Sequence, residues 1–97
     1  MSKFVILINV SYDEEAQVKN LPDQLAQGHE IGRSLGVTID SYYMTFGRFD
    51  AVATIDAPDG AAAAKFILSA FGPLVRTETL TAFNEDQIRA IADGLLS

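Results

Sequence analysis

Apolar residues fall in blocks whose spacing changes along the chain, and each spacing predicts an element. Lys3 to Val10 is a run of large and β-branched side chains that predicts a strand. Phe4, Ile6 and Ile8 would point to one side of it, Val5 and Leu7 to the other. A strand with one face in water alternates apolar and polar residues, so this one predicts cover on both faces. Ser11 to Lys19 is polar and acidic and reads as a loop. Pro22 then stands in the first turn of a helix, where a missing N–H costs nothing. Leu21, Leu25, Gly28, Gly32 and Leu35 recur at three- and four-residue steps. Its two glycines weaken the helix by roughly 1 kcal/mol each relative to alanine. Close approach to a sheet would offset that loss, and Gly36 supplies a left-handed stop.

Val37 to Phe46 and Ala51 to Asp56 predict two further strands, joined through Gly47-Arg48 as a two-residue type II′ hairpin. That register sets Phe46 against Phe49 and Thr45 against Asp50. One hairpin face then carries Tyr42, Met44, Phe46, Phe49, Ala51, Ala53 and Ile55, a set suited to a core. The other carries Ser41, Tyr43, Thr45, Asp50, Val52 and Thr54. Asp59 caps a second helix, Ala61 to Phe71, that Gly72-Pro73 ends. Leu74 to Phe83 is a threonine-rich fourth strand. Asn84 opens a short last helix with Gln87 at capping-box distance, and Ile88, Ile91, Ala92 and Leu95 form its stripe.

The order β-α-β-β-α-β-α, with right-handed crossovers and a central hairpin, is an α+β ferredoxin-like βαββαβ arrangement with an extra C-terminal helix. Its helices cover one face of an antiparallel sheet. The doubly apolar first strand predicts that a second copy of the chain covers the other.

Composition narrows the classes of function. A length of 97 residues is one domain, residues 1–97, and 48% hydrophobic content suffices for its core. With no cysteine, disulfides, thiolate metal sites and cysteine nucleophiles are excluded. Thirteen acidic against seven basic residues give a net charge of -6, which repels phosphate backbones, so no nucleic-acid partner is expected. No apolar run approaches the ~20 residues of a membrane span. Phe4 to Ile8 is too short for the apolar core of a secretory leader, and a cytoplasmic location is expected.

Gly47-Arg48-Phe49-Asp50, the following Ala-Val-Ala-Thr-Ile-Asp-Ala-Pro-Asp and the later Arg76-Thr-Glu-Thr-Leu-Thr-Ala-Phe83 carry a family resemblance. From the first strand to Phe83 the chain resembles the GYD family, small bacterial and archaeal proteins named for a glycine–tyrosine–aspartate motif. The resemblance implies a dimeric α/β barrel and no particular activity. In this chain the motif residues are Gly47, Phe49 and Asp50, with Arg48 inserted. Phe49 has no hydroxyl, so a role that rests on a tyrosine hydroxyl is absent.

Few residues could carry chemistry. Asp50, beside the hairpin tip, is either a base or a backbone acceptor that steadies the turn. Arg76 and Glu78, two apart on one strand face, either grip a small carboxylate or form a structural ion pair. Tyr43 shares the mixed hairpin face, and the aromatic hairpin (Tyr42, Tyr43, Met44, Phe46, Phe49) reads as packing or as a flat-ligand pocket. His29 is the only histidine, and one histidine without cysteines or paired carboxylates makes a poor metal site, so no metal or cofactor is expected. The reading that follows is a homodimer binding a small molecule between sheet and partner subunit through Tyr43, Asp50, Arg76 and Glu78. The alternatives are a cofactor-free oxygenase or isomerase with Asp50 or His29 as base, by fold analogy, and a purely structural oligomer subunit.

Overall fold

A computed structural model describes residues 1–11, 14–72 and 74–95, with backbone alone for 14–17. The elements are β1 (Ser2–Val10), α1 (Glu14–Leu35), β2 (Thr38–Met44), β3 (Ala51–Ala57), α2 (Gly60–Ala70), β4 (Val75–Ala82) and α3 (Glu85–Gly94). The strands form one sheet in the order β2-β3-β1-β4, every neighbouring pair antiparallel. This is the expected α+β ferredoxin-like arrangement with an extra helix.

The core lies between the sheet and the α1–α2 layer. Phe4, Ile6 and Ile8 from β1, with Ala51, Ala53, Ile55 and Ala57 from β3, are buried there against Ala63 and Phe66 of α2. Small alanines on β3 let the helices sit close. Gly32 of α1 shows how close, because a β-carbon there would stand 2.5 Å from the Val37 carbonyl oxygen. α1 ends at Gly36 (φ +73), and the Val37 N–H returns to the Gly32 carbonyl at 2.8 Å, as in a Schellman motif. Asp59 caps α2 by accepting from the Ala62 N–H at 2.8 Å. At α3, Asn84 and Gln87 complete both halves of the capping box.

Two expectations need correction. α1 starts by Glu14, so most of Ser11 to Lys19 is helix rather than loop, and Pro22 lies inside it. Glu14-Glu15-Ala16-Gln17 are good helix formers, and acidic residues favour a helix N-terminus. The helix therefore begins upstream and carries an interior proline, which costs about 3 kcal/mol. Tyr12, Asp13 and Pro73 lie outside the described residues, as does part of the Gly72-Pro73 stop.

The hairpin is also looser than expected. Its register is the one anticipated, since Met44 pairs with Ala51 and the Thr45 N–H donates to the Asp50 carbonyl at 2.9 Å. The ladder stops there, and Phe46 to Phe49 form a wider turn braced by the Thr45 hydroxyl on the Phe49 carbonyl at 2.7 Å. Gly47 occupies φ +134, which a residue with a β-carbon rarely adopts. Met44 and Phe46 are exposed, Phe46 at 87%. Phe46 lies past the last paired residues, where the pleat no longer dictates side-chain direction and alternation stops predicting burial.

Candidate functional site

The face of the sheet opposite the helices is covered by no described element of the chain. Register defines its rows. Tyr43, Val52, Leu7 and Glu78 lie side by side from β2 to β4. Ser41, Thr54, Val5 and Leu80 form the next row. At one end Lys3 lies between Asp56 and Ala82, and at the other Asn9 pairs with Arg76. The centre is thus apolar, with Val5, Leu7 and Val52 half-buried and Leu80 exposed. Charged residues stand at both ends.

The Lys3 end is a polar network. The Lys3 ammonium donates to Asp40 at 3.0 Å and lies 3.4 Å from Asp56. Asp40 is the residue skipped where the β2–β3 register shifts between Ile39 and Ser41. Such an irregularity re-aims a side chain, and here the carboxylate reaches Lys3. The Thr54 hydroxyl also donates to Asp40 at 3.3 Å and is 2.6 Å from the Ser41 hydroxyl. The hydrogen bond to Asp40, with a smaller contribution from Asp56, holds the Lys3 ammonium above its ordinary pKa. The same bond holds the Asp40 carboxyl below its own. Sequence reading passed over this trio. The strand order implied that β1 lies beside β3, but neither the register that sets Lys3 against Asp56 nor the shift that brings in Asp40 was legible.

At the opposite end Asp50 is tied to β1 twice. Its backbone N–H donates to the Ile8 carbonyl at 2.8 Å, and its carboxylate accepts from the Val10 N–H at 2.8 Å. The acceptor role is therefore present, directed at the neighbouring strand rather than at the hairpin or an arginine. Arg48 instead stands over the Phe49 ring, 5.8 Å from its centroid. Arg76 and Glu78 point to the open face from β4 but form no ion pair with each other or with another described residue. Tyr43, 65% exposed, shares the row of Glu78.

The four candidate residues share a face without converging. Tyr43 is on one edge strand and Glu78 on the other, three strand spacings or about 14 Å apart. One chain alone cannot close them around a small ligand. His29 is exposed on α1, and among the described residues no three His, Asp or Glu side chains gather where a metal could be held.

A cavity of about 420 Å³ lies on the other side of the sheet, between α1, α2 and the strands. Leu25, Ile31, Phe66, Phe71 and Leu74 line it, with Gln24 and Ser69 as polar groups. No pattern along the chain marks this cavity. Gly28 lines it, and a β-carbon there would already stand 3.4 Å from the Ile39 methyl. No helix among the described residues is long and apolar enough to cross a membrane.

The fold recurs in solved structures. FFRP-DM1 matches with a TM-score of 0.60 and 19% identity over 86% of this chain and 100% of that one. TTHA0845 from Thermus thermophilus matches with a TM-score of 0.61 and 24% identity over 87% and 95% of the two chains. Hypothetical protein PHS023 from Pyrococcus horikoshii matches at 0.58 and 19%, over 88% and 93%. At these identities the likeness is one of fold. No functionally curated protein matches the sequence. Residues 4–92, however, match the sequence profile of the GYD domain, and with the Gly47–Asp50 turn in the place described above, the chain belongs to the GYD domain family.

Proposed function

We propose that this protein is a homodimeric small-molecule-binding domain whose pocket closes between the open sheet faces of two copies. The observation that carries this reading is the uncovered face itself, an apolar centre with Tyr43 at one edge and Arg76 and Glu78 at the other. A two-fold axis between the sheets, parallel to the strands, would lay β2 of one copy over β4 of the other. Tyr43 of one copy would then stand opposite Arg76 and Glu78 of its partner. An aromatic face beside a guanidinium and a carboxylate suits a small polar ligand with a flat apolar part and a charged group. Because Asp50 already accepts the Val10 N–H, it steadies the site rather than acting as a base. That makes the binding reading stronger than the enzymatic one.

A second reading has its own observation, the α1–α2 cavity. Its volume falls within the range of small-molecule sites, and its lining suits an apolar ligand. Native mass spectrometry of the purified protein, followed by identification of any retained small molecule, tests both. The sheet-face reading expects a dimer carrying a ligand that Arg76→Ala and Tyr43→Ala release without lowering the melting temperature. A ligand that survives both changes but is lost in Ala70→Leu, which narrows the cavity, would move the site to the helix layer. A ligand-free monomer would sink both readings.

A further inference from the structure

We infer that the α1–α2 cavity takes an uncharged aromatic molecule, with its ring held inside and one hydrogen-bonding group at the mouth. The inference deepens the second reading above, since it rests on the cavity as a ligand site and adds the class of ligand.

The two helices meet at Gly32, whose β-carbon would stand 3.5 Å from the Phe66 ring. From there toward Leu21 and Phe71 the cavity opens between them. Leu21, Leu25 and Ile31 line it from α1 and stay half-buried, while Ala53 on the sheet and Ala70 on α2 are too small to fill it. Protein interiors are otherwise close-packed, with few voids larger than a water molecule. An opening of about 420 Å³ is far beyond that and lies within the range of small-molecule sites. Water is a poor occupant, because it needs several polar partners and an apolar lining offers few.

Three observations define the occupant. The first is charge. In a chain with 21% charged residues, none of the described residues that line the cavity is charged. An ion entering it would lose its hydration and meet no partner of opposite sign, so the ligand is neutral. The second is shape. Phe66 and Phe71 both line the cavity, with ring centroids 6.4 Å apart and planes at 83°. Tyr42 adds a third ring from β2. Aromatic rings favour edge-to-face and offset contacts with further rings, so a planar aromatic group extends this arrangement. The third is polarity by depth. Ala53, Ile55 and Phe66 are buried and form the inner wall, whereas Gln24 and Ser69 are exposed and stand at the mouth, one on each helix. An amide and a hydroxyl there can donate to or accept from one polar substituent.

Fluorescence titration of the full chain with N-phenylnaphthylamine, an uncharged aromatic probe, tests this. One probe per chain should bind, with its emission enhanced and shifted to the blue. Naphthamide should displace it about tenfold more effectively than naphthoate, which has the same ring and a negative charge. Ala70→Leu, and separately Leu25→Phe from the facing helix, add bulk inside the cavity and should each weaken binding about tenfold or more. Their circular dichroism should stay native. Tyr43→Ala and Arg76→Ala, on the other side of the sheet, should leave binding unchanged. Equal displacement by naphthoate and naphthamide would overturn the ligand class and keep the cavity as a site. Binding that Tyr43→Ala or Arg76→Ala abolishes, while both cavity variants retain it, would refute the cavity and leave the sheet face. A wild-type chain that excludes the probe until Ile88→Glu and Ile91→Glu are introduced would seat α3 in the cavity, and the inference would fall. It would fall equally if no form of the chain bound the probe.

Discussion

The two faces of the sheet are made by the same strands yet follow different rules. On the helix face, Ile6, Ile8 and Ile55 are fully enclosed, and Gly32 is glycine because Val37 leaves no room for a β-carbon. Each residue there answers to a neighbour in the same chain. On the open face, Val5, Leu7, Val52 and Leu80 are as apolar as a core but are partly or largely exposed. They lie between a charged network at Lys3 and Arg76 and Glu78, which pair with no described residue. This uncovered apolar patch, framed by charge, is the surface that the proposed dimer would bury. The comparison separates residues whose neighbours lie in the same chain from residues that have no such neighbour among the described residues.

The strongest way to break the comparison is to truncate adjacent residues that face opposite ways. Ile6→Ala should cost about 2–5 kcal/mol in chemical denaturation, at any protein concentration, because it leaves a cavity in a closed core. Leu7→Ala should cost markedly less in dilute protein and more as the concentration rises. Equal, concentration-independent losses would show that the open face is ordinary core.

Close packing on the helix face is tested next. Gly32→Ala should destabilise by roughly 1–3 kcal/mol through overpacking, although alanine is the better helix former. Gly28→Ala, where the nearest atom would be the Ile39 methyl at 3.4 Å, should be neutral to stabilising by up to about 1 kcal/mol, because alanine is the better helix former. Thermal unfolding of the pair decides whether α1 really rides on the Val37 carbonyl.

On the open face, Asp50→Ala removes the acceptor for the Val10 N–H and should cost about 1–2 kcal/mol, with Asp50→Asn retaining much of the bond. If both variants melt with the parent while a ligand is lost, Asp50 belongs to the binding chemistry instead.

The smallest effect is expected from Lys3→Met, since its partners are exposed to solvent. The Asp40 carboxyl is held below its unfolded pKa, so its contribution is present above ~4 and fades as pH falls through the folded value. The Lys3 ammonium is held above its unfolded pKa, so its contribution is present below ~10.5 and fades as pH rises through the folded value. The difference in melting temperature between parent and variant should therefore peak near neutral pH and shrink at both extremes. A pH-independent difference would mean that Lys3 acts by packing its alkyl stem, not by its charge.

What the sequence by itself determined is whatever depends on neighbours along the chain. Element order, the Asp59 and Asn84 caps, the Gly36 stop and the Thr45–Asp50 register follow from local dihedral preferences and from periods of two and 3.6. The family resemblance was legible for the same reason, because it rests on short runs of residues, the Gly47–Asp50 turn with the strand after it and Arg76 to Phe83. The tertiary structure alone decided how far those signals reach. It placed Pro22 inside a helix that begins upstream, exposed Phe46 beyond the end of the ladder, and carried Asp40 to Lys3 through a register shift. It also set Tyr43 and Glu78 on opposite edges of one sheet and left Ile88, Ile91 and Leu95 of α3 exposed. Distances between strands and the reach of an element depend on contacts far apart in sequence, and local pattern carries no record of them.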